Sequence, residues 1–126
     1  SQGGSSNKSE IYDTGWFIAE VQKIYSFDTC FGDADFVLLS WEAKALDESW
    51  CIDYRINQYG DSRQMNGATF NKNAHGIFRI ATAGYFSGIR SAEVLHAVPI
   101  YDNNSNSESF VANVKKCYFR VIVKKI

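Results

Sequence analysis

Histidines, cysteines and carboxylates are the side chains through which this chain could do chemistry. His75 precedes Gly76 in a loop pattern, and His96 sits between Leu95 and Ala97 in a strand pattern. Neither belongs to an H-x-H or H-E-x-x-H run or to a His/Cys pair at ligand spacing, so no transition-metal site is expected. Asp28, Asp33 and Asp35 surround Gly32 and carry the oxygens a hard cation takes. The repeated Asp and closing Glu of a calcium loop are missing, however, and turns use the same residues for local backbone hydrogen bonds. Turn chemistry is the expectation. Glu42 and Asp53 would make a glycosidase-like carboxylate pair if neighbouring strands brought them together. Ser40, Ser87 and Ser91 lack a G-x-S-x-G elbow, and the glycines are scattered rather than gathered into a phosphate-cradling loop. The expectation is a non-enzymatic protein with no cofactor and no metal.

Recognition chemistry is better represented. In residues 84–90, Tyr85 and Phe86 stand between Gly84 and Gly88, with Arg90 close behind. Aromatic faces stack on sugars, and Tyr and Arg are common anchors at protein interfaces. The alternative is that Tyr85 and Phe86 end a strand and fold into the core. Tyr59 and Arg63 flank a turn of similar make-up, and residues 102–107 form a polar hairpin or longer loop that contains Asn103. The candidate ligand-binding residues are therefore Tyr59, Arg63, Tyr85, Phe86, Arg90 and Asn103.

Strands must position these groups. A chain of 126 residues makes one domain with its own core. The 15% aromatic share favours strands over helices. Strict alternation marks residues 50–57, where Trp50, Ile52, Tyr54 and Ile56 face inward, and residues 117–123, where Phe119, Val121 and Val123 do. Ile122 breaks the second pattern and implies partial cover on the other face. Six weaker strands are expected at 16–21, 36–43, 68–71, 77–82, 93–101 and 109–114, with Pro99 demoting the end of the fifth. About eight short strands with polar turns predict an all-β fold, an antiparallel two-sheet β-sandwich of jelly-roll-like kind.

Residues 15–26 and 36–46 also fit a helical face, Asp35 serving as cap in the second, but their aromatics favour strands. Residues 36–39 are apolar on both faces, which calls for a second neighbour: another subunit, or a loop over a central strand. Residues 1–12 read as a flexible Gly/Ser-rich leader or hinge and 13–126 as the sandwich, with Gly15-Trp16 opening its first strand. Cys30, Cys51 and Cys117 lack C-x-x-C spacing and read as free buried thiols, Cys117 as a small hydrophobe in the core. Net charge is −1 without a basic stripe, so nucleic acid is not an expected partner. No run reaches the ~18 apolar residues of a membrane helix, so no membrane insertion is expected either. The pairs Lys115-Lys116 and Lys124-Lys125 read as charges that protect an edge strand.

The block order carries a resemblance. Thr14-Gly15-Trp16-Phe17-Ile18-Ala19-Glu20 comes first, then the apolar strand 32–41. Glu48-Ser49-Trp50-Cys51-Ile52, His75-Gly76-Ile77-Phe78-Arg79-Ile80 and the run 93–101 follow. This order resembles the C-terminal tip domains of bacteriophage tail fibres and related fibre-like adhesins. The resemblance implies a homotrimeric, extracellular β-sandwich on a virion fibre or cell surface, recognising a host glycan or outer-membrane protein without doing chemistry. The alternatives are a bacterial surface lipoprotein or secreted binding module tethered by residues 1–10, and a small sandwich hydrolase using Glu42 and Asp53.

Overall fold

The structure, a computed structural model, describes residues 10–54, 67–83, 85, 99–102, 107–110 and 114–126. The strands in chain order begin with β1 (Ile11–Asp13), β2 (Phe17–Glu20), β3 (Ile24–Asp28), β4 (Phe36–Lys44) and β5 (Cys51–Asp53). They continue with β6 (Ala68–Lys72), β7 (Ile77–Thr82), β8 (Pro99–Asp102), β9 (Ser107–Phe110) and β10 (Lys116–Lys125). The protein is an all-β, two-sheet antiparallel sandwich. In one sheet β10 is central, with β4 and then β5 on one side and β1 and β2 in succession along the other. The second sheet has the order β3-β7-β6, so eight strands make the sandwich among the described residues, the number the sequence predicts, with β1 and β3 in place of the strands expected at 93–101 and 109–114. Strands β8 and β9 form a separate two-stranded ribbon.

Period-two alternation builds the core. Cys117, Phe119, Val121 and Val123 on β10 are fully buried, as are Phe78 and Ile80 on β7. Each such Phe or Val contributes about 1.5–3 kcal/mol through burial. Aromatic rings join the two sheets. Phe17 on β2 lies 5.1 Å from Phe27 on β3 and 6.2 Å from Phe119, and Phe78 stacks on Phe27 at 5.1 Å. Trp41 packs on Tyr54 and edge-on to Phe119, yet its indole N–H has no partner among the described residues. An orphaned buried donor of this kind costs about 1–3 kcal/mol.

Three expectations are corrected. First, β10 is not an edge: both of its sides are paired, so Lys115-Lys116 and Lys124-Lys125 have no edge to protect. Second, the sheet already includes Ile11 and Tyr12, and Gly15 does not open the first strand. It lies within an edge strand, where residues 14–16 stand against only 120 and 121 of β10, a one-residue bulge. Gly15 takes φ +69° there, a conformation that costs other residues about 1–2 kcal/mol. The Thr14 hydroxyl accepts the Val121 N–H at 3.0 Å and heals the interrupted ladder. Third, the strand expected over 50–57 spans only Cys51–Asp53, and the backbone turns helical at Tyr54. Residues 55–57 lie outside the described ones.

The strand reading of 15–26 and 36–46 holds. Val21 to Lys23 turn between β2 and β3, a strand the alternation alone did not separate. Asp35 accepts the Phe36 N–H at 2.9 Å and opens β4 rather than capping a helix. The two-faced run 36–39 has a local cause. Ser40 pairs with Ile122 and Leu38 with Val123, which leaves Leu39 as a bulge residue. The bulge resets the phase, so Phe36 and Trp41 both point inward while Val37 (43% exposed) and Leu39 (45%) face out.

Candidate functional site

Of the six residues expected to bind ligand, Tyr85 is described. It is exposed just beyond β7, and its N–H donates to the Thr82 carbonyl at 3.0 Å, so it caps the strand rather than entering the core. Tyr59, Arg63, Phe86, Arg90 and Asn103 lie outside the described residues, as does His96. The polar hairpin expected around 102–107 is seen in its flanks, where Asp102 pairs with Ser107.

The carboxylates of the acidic loop at one end of the sandwich are engaged by backbone N–H groups and basic side chains. Asp28 accepts the Cys30 N–H at 2.9 Å, and Asp33 meets the His75 ring at 3.1 Å. Asp35 holds Lys72 at 2.7 Å, and that ammonium lowers its pKa; Lys72 also donates to the Phe36 carbonyl. The Thr29 N–H and hydroxyl both donate to the Gly76 carbonyl, at 2.8 and 2.7 Å, locking the loop to the β6–β7 turn. Among the described residues no group of three or more His, Cys, Asp or Glu could hold a metal ion.

Glu42 and Asp53 are brought together. They stand directly opposite one another on β4 and β5, on the outer face of the five-stranded sheet, where such partners have Cβ atoms about 4.5–5.5 Å apart. Arg120 is Glu42's partner on β10 and forks onto Asp13, through Nε at 3.0 Å and Nη2 at 2.5 Å. That hydrogen-bonded guanidinium holds the Asp13 carboxyl below its ordinary pKa. The row Asp13, Arg120, Glu42, Asp53 therefore alternates charge over part of its length, as a solvent-facing sheet lattice does. The two carboxylates lie side by side and half-buried on neighbouring strands, whereas a glycosidase flanks its sugar with them.

A concave surface that sequence reasoning missed lies at the opposite end from the acidic loop. Two open clefts meet there along Lys115-Lys116, where the chain enters β10. One, of about 480 Å³, is bounded by the β2–β3 turn with Glu20, Gln22 and Lys23. The other, about 520 Å³, is bounded by the β4–β5 turn with Leu46, Asp47, Ser49 and Trp50, and by Val114. Both fall in the size range of small-ligand sites.

Half-buried hydrogen bonds hold the first cleft's wall in shape. The Thr82 hydroxyl, fully buried on β7, accepts the Lys23 N–H at 2.8 Å and donates to the Glu20 carbonyl at 2.6 Å. The Gln22 N–H donates to the Ala83 carbonyl at 2.8 Å, and the Tyr25 hydroxyl accepts the Glu20 N–H at 2.9 Å. These bonds keep Gln22 at φ 62°, a left-handed conformation rare for a residue with a side chain. At the second cleft, the Asp47 carboxylate is taken by the Ser49 N–H at 3.0 Å.

All three cysteines are free thiols. Cys117 is buried as expected, and burial pushes its thiol up to about 12. Cys30 and Cys51, expected to be buried, are instead exposed, because each sits on the outward side of a turn or edge strand.

The fold defines a β-sandwich with open clefts at one end. No protein-family model, curated protein or solved structure matches this chain.

Proposed function

We propose that this domain is a non-enzymatic recognition module, a receptor-binding tip that engages a cell-surface glycan or outer-membrane protein from outside the cell. The observation that carries the reading is the pair of clefts meeting at Lys115-Lys116, with Trp50 in one wall. An aromatic ring beside polar and charged groups in an open, preshaped hollow suits the amphipathic surface of a sugar. Surface sites of this kind bind weakly one at a time, and a homotrimer at the end of a fibre turns weak sites into avidity. The outward-facing Val37 and Leu39 support subunit contact, since bulky apolar side chains on a sheet face gain from being covered.

The test is binding to intact bacteria and to a glycan array, with Trp50→Ala compared after circular dichroism shows its fold unchanged. A tenfold or greater loss supports the reading, and unchanged binding refutes the site. Mass photometry at micromolar concentration checks assembly: a trimer supports it, and monomer alone overturns that part.

A further inference from the structure

We infer that the cleft between the β2–β3 turn and Lys115-Lys116 selects an anionic sugar, one bearing a carboxylate or phosphate, over its neutral counterpart. This rests on the recognition reading above and adds the ligand's charge.

Among the described residues the lining supplies three ammonium groups, Lys23, Lys115 and Lys116, against one carboxylate, that of Glu20. That carboxylate is already engaged with Lys116 at 3.2 Å. Lys23 and Lys115 are exposed and meet no carboxylate among the described residues. Two unneutralised cations at the rim of one hollow attract an anion more strongly than scattered lysines do, because low-dielectric walls focus the field. Edge protection does not account for this pair, because the strand it opens is central from Tyr118 onward and Lys116 already pairs with Glu20 on β2.

The backbone that carries these cations is held in place. Thr82 and Ala83 pin the turn that carries Lys23, and Gln22 is held at positive φ. Strain maintained by surrounding hydrogen bonds gathers where a surface must keep one shape for binding. Lys115 is pinned as well, its carbonyl accepting the Val21 N–H at 3.2 Å. Both cations therefore project from fixed backbone, which lowers the ordering cost of capturing an anion. The neighbouring cleft places exposed Leu46 and the half-buried Trp50, which packs against the core, across the same lysine ridge, where an apolar edge of the same sugar or the next one would rest. The cluster is too small and local for a nucleic-acid track, which needs a row of phosphate contacts.

The experiment uses the whole chain on an array of matched pairs: sialylated and desialylated glycans, polyuronates and their methyl esters, phosphorylated and unphosphorylated sugars. Acidic members should bind at least tenfold better than their neutral partners, and that margin should shrink from 50 to 300 mM salt. Carboxylate and phosphate arms identify the source of the charge. Lys23→Gln and Lys115→Gln should each weaken acidic binding about tenfold, equal to ~1.4 kcal/mol. Arg79→Gln, outside both clefts, should leave it unchanged. Binding that is equal for neutral partners, or unaffected by both lysine changes, overturns the charge selectivity while leaving recognition standing. Failure to bind any glycan or any intact cell counts against both readings.

Discussion

Thr82→Val should destabilise the domain by about 2–4 kcal/mol, although it changes one buried hydroxyl for a methyl. The hydroxyl accepts from the Lys23 N–H at 2.8 Å and donates to the Glu20 carbonyl at 2.6 Å, with the Lys23 carbonyl at 3.1 Å as a second acceptor. Valine leaves one donor and one acceptor of the β2–β3 turn without partners at a site where Thr82 is fully buried. Each orphaned group costs about 1–3 kcal/mol, and partial access to water at the turn brings the sum to the lower half of that range. For a domain this size, about 4 °C per kcal/mol gives a fall in Tm of roughly 8–16 °C. Urea unfolding should show the same loss as a lower midpoint with an unchanged slope. Thr82→Ser keeps the hydroxyl and should cost no more than about 1 kcal/mol, the value of one buried methyl. If Thr82 holds Gln22 in its left-handed conformation, Gln22→Gly should be neutral or stabilising by up to about 1 kcal/mol. A Thr82→Val variant within about 0.5 kcal/mol of the parent, or a serine variant as damaged as the valine, refutes the argument.

Two further perturbations probe the frame. Gly76→Ala should cost more than Gly15→Ala, though both glycines have positive φ: a Cβ at Gly76 meets Gly32 and Thr29 atoms at 3.1–3.2 Å, and one at Gly15 meets nothing within 4 Å. Denaturation should give about 1–2 kcal/mol for Gly15→Ala, the backbone cost alone, and a larger loss for Gly76→Ala; equal losses would remove the steric part of the explanation. Acid should weaken the edge strand through Asp13, whose folded pKa is lowered chiefly by its hydrogen bond from Arg120. The unfolded chain then binds the proton more readily, so the pair's stabilisation is complete above about pH 3.9 and is lost as pH falls through the lowered folded value. Asp13→Asn should flatten this part of the acid limb in pH-dependent unfolding, and an unaltered limb would show that the pair contributes nothing.

Much of the sandwich was legible along the chain. The strand expected over 77–82 is β7 at those positions, and the inward set Cys117, Phe119, Val121 and Val123 is the central buried row of β10. The candidate site was far less legible. Lys115 and Lys116 read as ordinary strand-flanking charges, and Lys23 as one polar residue in a short turn. Nothing local joins them, because the contacts that make the cleft link residues about 20 and 115. The carboxylate pair was legible only as a possibility: pairing of β4 with β5 brings Glu42 and Asp53 together, and pairing of β4 with β10 sets Arg120 beside them.

By itself the sequence determined that the chain is all-β, roughly where β4, β7 and β10 run and which side of β10 is apolar, because alternation is a local property with a period of two. Only the tertiary structure decided which strand is central, where the bulges fall and which turns share a surface. Those outcomes depend on pairings between distant segments, such as Thr14 with Val121, 107 positions apart. One such pairing makes Gly15 a bulge within an edge strand, and others turn Lys115-Lys116 from edge protection into the ridge between two clefts. A strand's neighbours are chosen by the whole chain, so no window of the sequence contains them.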